Sequence, residues 1–329
     1  MNAAPRLTFY PDSRPGIRRE RRGRGFSYIA PDGTRIDAAA ERARIAALAV
    51  PPAYENVWIC PRDDGHLQAT GRDTRARKQY RYHPDWRAFR EAQKYDQLAC
   101  FGAALPALRR HIRRTLRQAE PGDQAFAIAA ILALIDRASL RVGSPGYAKE
   151  NRTFGATTLR HRHLTLDGDE IKLTYRAKGG LLVRKTLKDA SLNRTLARLD
   201  DLPGPELASW IDEGGTARAV TAGEVNAFLA AQTGTEGLTA KSFRTWNGSA
   251  AALEIAVKEE NLTIKAMTEA AAERLANTPA IARKSYIHPE VIALTETPWD
   301  DRRALLQAPA ERGLRKAEAA LLRLLEHGA

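Results

Sequence analysis

The chain has 329 residues, 43% apolar and 28% charged, which allows a sizeable core and two domains and excludes a disordered polyelectrolyte. Its formal net charge of +13 and pI near 9.9 come mostly from arginine, whose planar fork matches phosphate oxygens, so a polyanion, most simply nucleic acid, is the expected partner. Two distant cysteines, Cys60 and Cys100, exclude a disulfide framework and a zinc knuckle.

The first 90 or so residues read as short strands separated by Gly and Pro turns. The run Arg18, Arg19, Arg21, Arg22 and Arg24 reads as a solvated, phosphate-seeking arm with no assigned role. Strands follow at Phe26 to Ala30, before the turn Pro31-Asp32-Gly33, and at Val57 to Cys60 and His66 to Thr70, on either side of Asp63-Asp64-Gly65. An Ala-rich helix over Asp37 to Leu48 interrupts them and ends before Val50-Pro51-Pro52. Arg72, Arg75, Arg77 and Lys78 lead into Gln79-Tyr80-Arg81-Tyr82-His83, which alternates as a half-exposed strand beside a surface suited to a nucleic-acid backbone.

From about Trp86 the pattern turns helical, over 86–101, 105–119, 123–142, 190–199, 223–232, 239–260, 263–275 and 310–327. Strand signals return as a three-stranded meander: His163 to Leu166, Glu170 to Ala177 and Leu181 to Leu187, joined by Asp167-Gly168 and Lys178-Gly179-Gly180. His161-x-His163 reads as polar surface along a strand. The composition shift predicts an α+β chain, with a small β-rich domain over 1–90 and a mainly helical domain containing the meander over 91–329. No leader pattern opens the chain, and the longest apolar run, Ala125 to Ile135, falls short of the roughly 20 residues that span a bilayer, so a cytoplasmic location is expected.

The chemistry-bearing residues lie far apart in order. Thr278 suits an N-cap and Pro279 the first helical position, so a short helix should run to Ile287, stop near Pro289 and project Tyr286 from its last turn. Alone, a tyrosine there is ordinarily a packing residue. Arg141 follows the apolar helix that Gly143 should end, with Arg137 a competitor for its role. Lys178 occupies a hairpin tip, with Ile171, Leu173, Tyr175 and Ala177 on the packed face of the preceding strand, and Gly179-Gly180 would let it swing. Lys241 and Arg244 open a helix, where the dipole disfavours cations, which hints at an incoming anion; Phe243 and Trp246 belong to the core.

As a set these residues suit phosphodiester transesterification. A phenol with pKa near 10 must lose a proton, and a leaving sugar hydroxyl must gain one. Two arginines can carry the charge of the transition state, a lysine can serve as the acid, and Asn277 is a neutral donor. The sequence has no carboxylate cluster with metal spacing and no Gly-rich phosphate loop, so neither metal nor cofactor is expected.

These motifs resemble the type IB DNA topoisomerases, in particular the short poxvirus-like enzymes also found in bacteria, over nearly the whole chain. Leu140-Arg141-Val142-Gly143 with Tyr147-Ala148-Lys149-Glu150-Asn151 and Thr158-Leu159 is similar to the first arginine motif. Lys241-x-x-Arg244-Thr245-Trp246 is similar to the second, and Leu275-Ala276-Asn277-Thr278-Pro279 through Ser285-Tyr286 to the nucleophile segment. The resemblance implies a β-rich N-terminal domain and a helical catalytic domain closing around duplex DNA, with relaxation of supercoils by a monomer that needs neither ATP nor metal. It implies a 3′-phosphotyrosyl bond on Tyr286, Lys178 as the acid on the 5′ oxygen, and Arg141, Arg244 and Asn277 on the phosphate. It further implies DNA contacts by Tyr80, Arg81, Tyr82, Tyr147 and Lys241. Two departures stand out: asparagine at 277, where the viral and cellular enzymes commonly carry histidine, and Gly179, where the viral form has an acidic residue.

Two other functions share parts of this pattern. Tyrosine recombinases use the same chemistry, but usually carry His-x-x-Arg where Lys241-x-x-Arg244 stands, and their N-terminal domain is helical. A noncatalytic basic clamp would bind DNA with the same salt dependence and leave no covalent adduct.

Overall fold

The structure, a computed structural model, describes residues 5–235, 237–307 and 311–327. Packing divides the chain into two compact units, Met1–Asp96 and Gln97–Ala329. Their architecture is the expected α+β one, a β-sheet unit followed by a mostly helical unit with a small antiparallel sheet.

In the first unit β1 (Ile17–Arg22), β2 (Gly25–Ile29), helix α1 (Ala39–Ala47), β3 (Glu55–Ile59), β4 (Leu67–Arg72) and β5 (Lys78–Tyr82) make an antiparallel sheet of order β2-β1-β3-β4-β5. Ile17, Val57, Ile59 and Ala69 turn inward onto Ile45 of α1. Arg18 to Arg22 of the arginine run form β1, in register with Ile29 to Gly25, and Arg24 lies in the turn that follows; Arg18, Arg21, Arg22 and Arg24 are exposed, as a solvated run requires. Arg19 is the exception. Its guanidinium lies 4.2 Å from the Phe26 ring centroid and donates to the carbonyls of Val50, Pro51 and Tyr54, so a residue that reads as solvated holds the α1–β3 connection. β5 forms as expected, but its burial does not alternate: Tyr80, Arg81 and Tyr82 are all exposed, the two tyrosine rings stacked at 6.0 Å and Arg81 donating to the Ala49 carbonyl.

Helix α2 (Pro84–Gln118) is continuous where two helices were expected. Pro106 suits helical φ and forfeits only one backbone bond, and Phe101, Leu105, Leu108 and Ile112 bury one stripe across it. Helix α3 (Gln124–Ala138) is apolar nearly all round and runs through the core of the second unit. It ends four residues earlier than expected: Ser139, not Gly143, stops it, by adopting the left-handed conformation at φ 57°. Arg141 therefore stands in an irregular segment just beyond the helix.

Helix α4 (Pro145–Asn151) precedes the meander β6 (Leu164–Asp167), β7 (Glu170–Arg176) and β8 (Leu182–Lys188). Ile171, Leu173 and Tyr175 of β7 and the adjoining Ala177 are buried, as the alternation required. His161 and His163 lie in a 3-10 turn and not on a strand. His163 is buried 4.4 Å from Phe154, and burial, with Arg162 and Arg160 nearby, holds its pKa down at about 4.

The rest is α5 (Ala190–Asp200), the hairpin β9 (Ser209–Ile211) and β10 (Ala217–Ala219), α6 (Ala222–Thr233), α7 (Ala240–Lys258), α8 (Ile264–Leu275), α9 (Pro279–Tyr286), α10 (Pro289–Ala293), α11 (Trp299–Ala304) and α12 (Lys316–His327). Of the expected helix at 310–327, only Lys316–His327 is helical, as α12; residues 311–315 are turn or irregular and residue 310 lies outside the described ones. Phe243 and Trp246 of α7 are fully buried, and buried Arg109 ties α2 to Asp136 of α3 and Glu318 of α12. Among the described residues no helix is long and apolar enough to cross a membrane.

Candidate active site

The mount for Tyr286 forms as its local residues dictate. Thr278 caps α9 by accepting the Ile281 N–H, Pro279 opens the helix, and Tyr286 is its last residue. Helix α7 holds this end closely. A Cβ at Gly248 would lie 2.8 Å from the Tyr286 carbonyl oxygen and 3.2 Å from its Cβ, so only glycine admits the approach. Next to it the Ser249 hydroxyl donates to the Tyr286 carbonyl at 3.2 Å and accepts the His288 N–H at 2.9 Å. One hydroxyl thus satisfies an orphan helix-end carbonyl and the start of the next segment.

The phenol is 9% exposed and sits in a cationic setting. The Arg244 guanidinium, itself buried, lies 5.0 Å from the ring centroid. It reaches there because its Nη1 donates to the Ser139 carbonyl and its Nη2 to the Leu275 carbonyl at 3.0 Å, bracing α7 against the ends of α3 and α8. Ser139 is held in turn by Asn247, whose Nδ2 donates to the Ser139 hydroxyl at 3.0 Å and to the Asp136 carbonyl at 3.1 Å. That bracing turns the chain out of α3 and delivers Arg141, whose Nη2 donates to Asn277 Oδ1 at 2.5 Å.

Burial by itself would raise the phenol's pKa, but Arg244, then Arg141 and Lys241, outweigh it and hold Tyr286 below the usual phenol value. Tyr175 faces the same two arginines, yet burial dominates there and pushes it up to about 12. Of the two tyrosines beside the arginines, only Tyr286 is tuned towards phenolate. Two buried donors on these partners, Arg244 Nε and Nδ2 of the Asn277 that Arg141 holds, have no acceptor among the described residues. Donors left in this way suit the oxygens of a bound anion.

The structure therefore brings together Tyr286, Arg141, Arg244 and Asn277, with Lys241 acting on the phenol through its charge. Lys178 is apart from them. It is exposed on the 3-10 turn Lys178–Gly180, where Gly179 and Gly180 take φ of 85° and 78°, and no hydrogen bond or ion pair joins it to another described residue. Arg137, the competitor for the role of Arg141, pairs with Asp189 at 2.9 Å. Tyr147 is 44% exposed on α4. Sequence reasoning missed Gly248, Ser249, Ser139, Asn247 and Lys185. The one readable signal was Lys185, a lysine between Val183 and Leu187 on the inward face of β8. Among the described residues no group of three or more His, Cys, Asp or Glu gathers to hold a metal ion.

Comparison with known families adds three findings. Residues 25–73 match the family described as bacterial DNA topoisomerase IB, N-terminal domain. Residues 83–288, which include all five residues of the candidate site, match the family described as eukaryotic DNA topoisomerase I, catalytic core. The sequence is 27% identical over 294 residues to a DNA topoisomerase 1B of Acanthamoeba polyphaga mimivirus, covering 83% of this chain and 85% of that protein.

Proposed function

Since the chain belongs to the type IB DNA topoisomerase family, whose catalytic core it matches over residues 83–288, we propose that Tyr286 is the nucleophile with which it cuts and rejoins one strand of duplex DNA. Attack of the phenolate oxygen on the scissile phosphorus breaks the bond to the 5′ oxygen and leaves a 3′-phosphotyrosyl ester. Arg141 and Arg244 neutralise the nonbridging oxygens, with Asn277 Nδ2 and Arg244 Nε as the donors free to meet them. Lys178 gives its proton to the departing 5′ oxygen. The freed end rotates, and the reverse attack by the 5′ hydroxyl reseals the strand. One phosphodiester replaces another, so bond energy is conserved and no nucleotide hydrolysis is called for.

The observation that carries this reading is the tuning of Tyr286: a nearly buried phenol held below its ordinary pKa by arginines whose neighbouring donors have no acceptor. We assign DNA clamping to the β-rich part over 1–90, through Tyr80, Arg81 and Tyr82, and the chemistry to 91–329, with Tyr147 and Lys241 as auxiliary contacts. We assign the enzyme as a monomer. The test is supercoil relaxation in EDTA without nucleotide, together with recovery of a covalent protein-DNA adduct on denaturation. Tyr286→Phe should abolish both and leave DNA affinity nearly unchanged. A variant that still relaxes supercoils would sink the assignment.

A further inference from the structure

Strand β8 carries one residue against its pattern. Val183, Lys185 and Leu187 stand opposite Tyr175, Leu173 and Ile171 in register, so Lys185 occupies a position where this face otherwise packs apolar side chains. Its ammonium is largely withdrawn from solvent and lies near two other cations, Arg274 and Arg244, with Glu273 the opposing charge. Burial first, then those two arginines, push its pKa down to about 8. A lysine in such a place costs stability unless a specific bond compensates. The bond is short: Nζ donates to the Arg274 carbonyl at 2.6 Å.

That carbonyl is one of the orphan acceptors at the end of α8, and the next one, Leu275 O, takes Nη2 of Arg244. Two cations from different elements therefore cap the same helix end. The chain then turns through Ala276, in the left-handed region at φ 47°, directly into Asn277. Strand β8 is the return strand of the hairpin whose tip carries Lys178. The Lys185 bond thus joins the element bearing the proposed proton donor to the turn bearing the proposed phosphate ligand.

We propose that Lys185 is a positioning residue, whose ammonium ties the Lys178 hairpin to the end of α8 and so sets the reach of the proton donor towards the leaving oxygen. This rests on the assignment of Lys178 as the acid. The tie acts on the hairpin from within the sheet, while the tip itself stays open to solvent.

The experiment compares single-turnover cleavage of two DNA duplexes, one natural and one with sulfur in place of the scissile 5′ oxygen. A thiolate leaves without needing a proton, so a defect in proton donation vanishes on the sulfur substrate, whereas a defect in holding phosphate or in folding persists on both. Lys185→Met should cleave the natural duplex about 10-fold to 100-fold more slowly and the sulfur duplex within about 3-fold of the unaltered protein, a smaller echo of general-acid loss. Lys185→Gln, which retains an N–H donor, should fall between and serves as the comparison if the methionine variant does not fold. Equal slowing on both duplexes would overturn the tie. Lys178→Ala is the control. If sulfur rescues it but not Lys185→Met, the inference about Lys185 alone is lost. If sulfur does not rescue Lys178→Ala, the acid assignment is lost and the inference goes with it.

Discussion

Tyr286 and Lys178 stand at opposite extremes of order within one unit. The phenol is 9% exposed, pinned at its backbone by Gly248 and Ser249, and overlain by an arginine that is itself bonded to two helix ends. The lysine is exposed on a turn with two consecutive glycines at positive φ. The difference follows from what each group must do. Charge on the phosphate is stabilised best by dipoles and cations already in place, since these cost no reorganisation at the moment of reaction. A proton donor is needed only when the leaving oxygen arrives with the DNA, so it can be carried on an element that meets the substrate from outside.

This contrast can be broken in three ways. Lys178→Ala should slow covalent adduct formation by about 10³-fold, within the usual range for a general acid. Because the side chain is exposed and unbonded, the thermal unfolding midpoint should not move; a clear drop in the midpoint would mean that the hairpin tip is structural after all. Arg244→Gln should slow cleavage by about 10²-fold, the scale of one lost charged donor, and should also lower the unfolding midpoint, because the Ser139 and Leu275 carbonyls lose their partner. The same variant has a signed pH effect. Arg244 holds the phenol's pKa down by favouring phenolate, so its removal raises that pKa, and the pH at which cleavage levels off should move upward. A profile that stays put would separate the arginine from the phenol. Gly248→Ala should have the smallest effect, about 10-fold on the cleavage rate with DNA affinity retained, because the added methyl pushes the Tyr286 backbone away from its attack position. Single-turnover rates at saturating enzyme would show it.

Much of the site's local architecture was legible in order along the chain. Thr278 and Pro279 announced α9, the glycine turns and alternation announced the meander, and the packed face of β7 is the one its pattern assigned. The errors lie where a distant partner decides. The end of α3 was placed at Gly143, but Ser139 turns the chain because Asn247 and Arg244, more than 100 residues away, hold its hydroxyl and carbonyl. Four of the five arginines of the run are solvated as read, but that Arg18 to Arg22 form a strand is revealed only by their register with β2 and β3. His163 was read as surface for want of knowing that Phe154 and Tyr175 pack beside it.

By itself the sequence determined the charge that demands a polyanion, the residue types that transesterification requires and the caps and turns that present them, because each of these depends on neighbours within a few positions. Only the tertiary structure decided that Arg141, Arg244 and Asn277 meet at Tyr286 while Lys178 stays outside. Their meeting depends on where the ends of α3, α7 and α8 abut, and that is a property of the packed core rather than of any stretch of chain.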